Sequence, residues 1–219
     1  YINFFDFFEL GNFNKFFTFL AMLALINAIN FIDGIDGLSS MSIIISIFSI
    51  IFYSFLFASI IDLNLLILLI ILLATFLLFN FGFFKLPKIF LGDSGTTFFG
   101  FILGVMLIHY SQISVNPIHP VLIPFCIAIP IFDLLQVSID RISKHKNPFK
   151  SGRNHLHHLL LNIGYSKFNT LILILLTQVV ISIFGFLLFY YFNSLIVLVS
   201  YLLLFIIYLG IGKLNSVNY

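Results

Sequence analysis

Apolar residues fill this chain in long blocks, and polar positions collect in the gaps between them. Seven blocks approach the roughly 20 mainly apolar residues that a helix needs to cross a bilayer. They are Phe16–Phe31, Met41–Ile61, Leu63–Phe81, Thr97–Tyr110, Pro120–Val137, Leu171–Phe192 and Leu195–Ile211. The second and third are parted only by Ile61-Asp62-Leu63-Asn64, a tight turn at a membrane surface. The fourth is the shortest and extends into its flanks. No period-two alternation with turn spacing appears, which argues against a β-barrel. The pattern predicts an all-α polytopic membrane protein with about seven transmembrane helices, forming a single domain over residues 1–219.

Composition agrees. The chain of 219 residues is 61% hydrophobic and 8% charged, with a mean hydropathy of +1.18. A soluble domain carries about 25% charged residues, so a soluble globular fold is excluded, and so is disorder. With no Trp, the nine Tyr must mark the interfaces. The lone Cys126 forbids an internal disulfide. The first residue is Tyr, and the first apolar stretch is interrupted by Asp6 and Glu9 without a basic flank, so no signal peptide is visible.

Charge fixes the orientation. With the 33–40 loop inside, the 82–95, 138–168 and 212–219 segments are inside too. They hold Lys85, Lys88, Arg141, Lys144, Lys146, Lys150, Arg153, Lys167 and Lys213, against Lys15 alone outside. That asymmetry is the positive-inside signature. Segment 136–146 continues the fifth block as a helical extension at the headgroups.

Four of the eight acids read as solvated or locally paired: Asp6, Glu9, Asp62 and Asp140. Asp33, Asp36, Asp93 and Asp133 map instead to cytoplasmic helix ends, and an ionisable group within a membrane segment is a functional candidate by default. Three clusters stand out. In Asn27-x-x-Asn30-x-x-Asp33-Gly-x-Asp36-Gly-Leu38 the polar residues recur every third position, a slowly rotating helical stripe. Gly34 and Gly37 lack Cβ atoms and let something large approach the backbone. In Lys88-Ile-Phe-Leu-Gly92-Asp93-Ser94-Gly95-Thr96-Thr97, glycine-rich backbone opens a helix, which suits a phosphate, and Asp93 is a hard oxygen donor of the kind Mg²⁺ takes. The plain rival is that Asp93 or Ser94 only caps that helix. The third cluster, Pro148-Phe-Lys150-Ser-Gly-Arg153-Asn154-His155-Leu156-His157-His158, offers cationic and imidazole groups to an anionic diphosphate. Zinc fits it poorly without nearby Cys.

Together these motifs resemble the polyprenyl-phosphate N-acetylhexosamine-1-phosphate transferase family (glycosyltransferase 4). Asn27–Leu38 is similar to its Asn-x-x-Asn-x-x-Asp-Gly-x-Asp-Gly-Leu motif, and Phe90–Gly95 to Phe-x-Gly-Asp-x-Gly. Pro130–Asp133 followed by Asn147–Phe149 and Arg153–His158 is similar to its closing His motif. The His-Leu-His-His form resembles the bacterial undecaprenyl-phosphate N-acetylglucosamine-1-phosphate transferase branch, related to phospho-N-acetylmuramoyl-pentapeptide transferase. The resemblance implies a Mg²⁺-dependent phosphotransferase, with Mn²⁺ an admissible substitute. It would move N-acetylhexosamine-1-phosphate from a UDP-N-acetylhexosamine to undecaprenyl phosphate, release UMP and open cell-envelope polysaccharide synthesis, lipopolysaccharide O-antigen included. It implies a multi-pass protein of the bacterial inner membrane, its site on the cytoplasmic face. No nucleic acid is involved, and a homodimer is compatible.

By position, the resemblance assigns catalytic roles to Asp33, Asp36, Asp93 and His155, and metal contacts to Asn30 and Asp93. Substrate binding falls to Asn27, Asn80 (near uridine), Lys150, Arg153, His157 and His158. One departure stands against it: the family's Asp-Asp pair occurs nowhere in this chain. The family has about ten or eleven membrane helices, so the chain reads as N-terminally truncated, corresponding to the C-terminal two-thirds and expected to insert but not to catalyse alone. The rivals are a catalytically dead remnant and a transporter of anionic substrates. Transporters bind near the bilayer midplane, whereas these clusters sit at its edge.

Overall fold

The computed structural model describes residues 11–113, 115–147 and 155–216, and among them every regular element is helical. Lipid offers no hydrogen bonds, so each spanning segment must satisfy its own backbone, which the helix does. Five helices are long and apolar enough to cross a membrane: α1 (Asn14–Ile32), α2 (Leu38–Phe57), α3 (Leu63–Asn80), α4 (Gly92–Gln112) and α8 (Lys167–Tyr191). The fourth block does extend into its N-terminal flank as α4. A sixth span is bent by 78° between a short segment, residues Pro120–Cys126 ending in α5 (Ile123–Cys126), and α6 (Ala128–Ser143). α7 (Leu156–Asn162) is a short helix carrying two of the histidines, and α9 (Ser194–Ser216) supplies a shorter apolar stretch at Ser194–Gly210.

The fifth block was expected as one continuous span, and the break corrects that expectation. Pro130 has no N–H to give to the Cys126 carbonyl four residues earlier. The backbone turns at Ile127 (φ −126°, ψ 23°). The orphaned carbonyl is taken up by other helices: Ser46 Oγ from α2 at 2.9 Å and Gln178 Nε2 from α8 at 3.1 Å. Gln178 also donates to the Ser42 carbonyl at 3.0 Å. One turn on, Ser182 Oγ meets Ser49 Oγ at 2.8 Å and Tyr53 donates to the Ser182 carbonyl at 2.7 Å. A polar seam thus joins α2, α8 and the break inside an otherwise apolar core.

α8 is the hub, touching α2, α5, α6, α7 and α9, while α1 lies along α4 and α6. The α1–α4 approach depends on Gly100 and Gly104, one turn apart. A Cβ on Gly100 would stand 3.2 Å from the Ile26 Cα, and one on Gly104 would stand 2.6 Å from Met22 Sδ. Small residues at this spacing let two membrane helices close on each other. Thr96 continues the same stripe one turn nearer the helix start, and that brings α1 and α4 together at the site.

Candidate active site

α1 stops at Ile32. Asp33 is already its cap (φ −75°, ψ 50°), Asp36 lies in the connecting turn, and Gly37 opens α2 with φ +79°. The predicted helical stripe is therefore real only for Asn27 and Asn30; the two carboxylates sit on a turn that swings them off the helix. Both Asp-Gly glycines are approached by aromatic rings. A Cβ on Gly37 would lie 2.4 Å from Phe81 Cζ, and one on Gly34 would lie 1.9 Å from His157 Nε2.

Asn30 ties this turn to the second cluster. Its Nδ2 donates to Thr96 Oγ1 at 2.8 Å and to Asp93 Oδ1 at 3.2 Å. α4 is entered through Leu91, with no side-chain cap bond, so Asp93 is not spent on capping and the rival reading fails. Asn27 instead returns its amide to the Leu23 carbonyl at 2.7 Å, a turn away from these groups. Lys88 pairs with Asp36 at 2.5 Å, and Ser39 donates to Asp33. Asn80 is buried; its Nδ2 holds the Ile89 carbonyl at 2.8 Å, while its Oδ1 finds no partner among the described residues. Asp33, Gly34, Ile35, Asp36, Asn80, Phe90 and Leu91 line one open concavity.

Burial pushes the Asp33 carboxyl up from its ordinary value; the Ser39 hydrogen bond opposes this, and the charges of Asp36 and Asp93 reinforce it. Like charges thus crowd one turn, an arrangement that a divalent cation would relieve. Among the described residues no three His, Cys, Asp or Glu side chains form a ready cage for a metal. Mg²⁺ takes one or two carboxylates and completes its shell with substrate phosphates and water. Hard oxygens from Asp93 and the Asn30 carbonyl fit such a site.

The third cluster reaches the same place. His155 and His157 are buried, with rings 5.9 Å apart and 6° from parallel, and His158 lies 4.2 Å from His157. The His157 ring rests on the bare Cα of Gly34. Burial, then the neighbouring His158, lowers its pKa to about 4, so it is a neutral imidazole at pH 7. Lys150 and Arg153 fall outside the described residues. Of the locally explained acids, Asp62 caps α3 through Leu65 N at 3.1 Å, and Asp140 pairs with Lys144 at 2.7 Å.

The sequence profile of glycosyl transferase family 4 matches residues 2–111, the half of the chain that carries the Asp-Gly turn and the Gly-Asp loop. The chain belongs to that family. Curated relatives named undecaprenyl-phosphate alpha-N-acetylglucosaminyl 1-phosphate transferase share its sequence. The Yersinia pestis protein is 32% identical over 111 residues, 50% of this chain and 30% of the relative. The Escherichia coli O157:H7 protein is 32% identical over 136 residues, 61% and 37% respectively. The Haemophilus influenzae protein is 33% identical over 136 residues, 61% and 38%. The chain therefore spans about a third of the length of these family members.

The structure gives partners to the residues the motifs bring together. Thr96, Ser39 and Lys88 hold Asn30, Asp33 and Asp36 respectively. Asp133, a functional candidate that opens the closing His motif, binds His155 Nδ1 at 2.7 Å. Of these only Ser39 lies outside the motifs; the pairings themselves have no local signal, because each partner lies on another segment.

Proposed function

We propose that this chain carries the donor-binding face of a transferase that moves N-acetylglucosamine-1-phosphate from UDP-N-acetylglucosamine to undecaprenyl phosphate, releasing UMP. The observation that carries the reading is convergence: Asn30 joins the Asp33–Asp36 turn to Asp93, and His157 seats on Gly34 within that turn. Three motifs far apart in sequence thus meet around one Asp-Gly turn. The relatives' name supports the choice of acceptor lipid and of sugar.

In this reading an oxygen of the lipid phosphate forms a bond to the β-phosphorus of the donor. The bond from that phosphorus to the bridging oxygen breaks, and UMP leaves with the electron pair. Asp93 and Asn30 would hold Mg²⁺, which supplies charge neutralisation on the diphosphate when bound. Asn80 and the wall beside Asp36 would receive the nucleoside, with Asn80 Oδ1 free to accept from it. The neutral His157, with His155 and His158, would hold the sugar diphosphate from the opposite side; Lys150 and Arg153 would add positive charge. The site would lie on the cytoplasmic face of a bacterial plasma membrane, where the basic loops collect.

The test uses membranes from a strain lacking its own transferase, expressing the chain alone or with the N-terminal half of a relative. UDP-N-acetylglucosamine and undecaprenyl phosphate are supplied, and UMP release is followed while Mg²⁺ is titrated. Release that needs the divalent cation, and that falls by at least about 10² in Asp93→Asn, is expected. UMP release undiminished by EDTA, or none in either arm from inserted protein, would overturn the reading.

A further inference from the structure

Asp133 is the most enclosed carboxylate of the described residues, 2% exposed within α6. Three donors reach it from the described residues. Oδ2 meets His155 Nδ1 at 2.7 Å, Oδ1 accepts the Leu156 backbone N–H at 2.7 Å, and the Tyr208 hydroxyl from α9 donates to Oδ1 at 3.3 Å. One side chain therefore grips the histidine segment twice, by its ring and by its backbone.

That double grip has chemical content. An ionised carboxylate only accepts, so Nδ1 of His155 must carry the hydrogen, and Nε2 in the neutral ring is left as an acceptor. The Leu156 N–H is one of the orphan donors at the start of α7. α7 has seven residues, too few to hold a helix by itself in water, so its seat comes from such outside contacts. The ring set by Asp133 lies 6° from parallel with His157, which rests on Gly34 beside Asp33. Phe31 closes on His155 from α1 at 5.5 Å.

We propose that Asp133, braced by Tyr208, is a positioning residue: it locks His155 as the Nδ1–H tautomer and seats the start of α7 so that His155 and His157 stack over the Asp33–Gly34 turn. This deepens the transferase reading and, for its kinetic arm only, rests on it. α9 is then part of the site's framework rather than only a span beside it.

The test is ¹⁵N NMR of histidine-labelled protein in lipid nanodiscs, with His155 assigned by loss of its signals in His155→Gln. The expected wild-type signature is a proton on Nδ1 and a bare Nε2. Asp133→Asn offers a single acceptor oxygen to three donors, so the signature should change. In the UMP assay kcat should fall about 10- to 100-fold, the scale of lost outer-shell orientation, with KM for the UDP-sugar nearly unchanged. Tyr208→Phe should lower kcat about 2- to 10-fold while keeping the tautomer. A wild-type His155 protonated on Nε2 instead overturns the proposal whatever the variants do, as does Asp133→Asn with the wild-type signature and kcat. The expected signature in a protein that releases no UMP would uphold the clamp and sink the transferase reading instead.

Discussion

Replacing Gly34 with Ala probes the contact on which the site converges. The new Cβ would stand 1.9 Å from His157 Nε2, 2.6 Å from Cε1 and 2.7 Å from Cδ2, where ordinary contact begins at 3.4 Å. The ring must therefore withdraw by about 1.5 Å, the gap between the Nε2 distance and ordinary contact. It has little room: His157 is 1% exposed, its ring is stacked on His155 and met at a tilt by His158, and His155 is anchored on Asp133. Overpacking of this kind costs about 1–3 kcal/mol of stability. Displacement of a substrate-holding group by about 1 Å costs about 10² in rate. Gly34→Ala should thus lower UMP release by about 10² or more while most of the protein stays folded. The assay is UMP release normalised to folded protein, measured by size exclusion in detergent at the same temperature. Activity within about twofold of wild type would show that the His157 seat does not serve the reaction, against the rate cost worked here.

Acidification gives a second check. His157 titrates near 4 in the folded protein against 6.5 in an open chain. Between those values the unfolded state binds more protons, so stability rises with pH and is lost as pH falls from about 6.5 toward about 4, by up to about 3 kcal/mol. Thermal melts across that window should show a slope that His157→Gln reduces; an equal slope in the variant would contradict the buried neutral ring. In the polar seam, Gln178→Leu takes one donor each from the Ser42 and Cys126 carbonyls and leaves both to Ser46 Oγ alone among the side chains. It should cost about 1–2 kcal/mol in detergent unfolding, the upper range for interhelical bonds in membranes. A variant as stable as wild type would mean the broken span needs no staple from α8.

The sequence by itself showed a membrane protein, the approximate runs of most of its helices, and the motifs that mark its family. Each of these is a local property: a block of apolar residues has one backbone solution in lipid, and Asp, Asn and His are conspicuous where charge is costly. Asp33, Asp36, Asp93 and the histidine run needed no contact map to be noticed. Their arrangement was another matter. Helices that face lipid outside and protein inside are apolar all round, so the pattern does not say which face packs where. Only the tertiary structure placed Gly100 and Gly104 between α1 and α4, and so set Asn30 against Asp93 and Thr96. Only it ended α1 at Ile32 and threw the two Asp-Gly units onto a turn. The break at Ile127 was written in Pro130, but what it exposes, and Gln178 answering it from 52 residues away, was not. The same holds for Asp133: its charge was visible in the sequence, while its purpose depends on His155 and Tyr208 arriving from two other segments, and no local periodicity encodes a meeting of three faces.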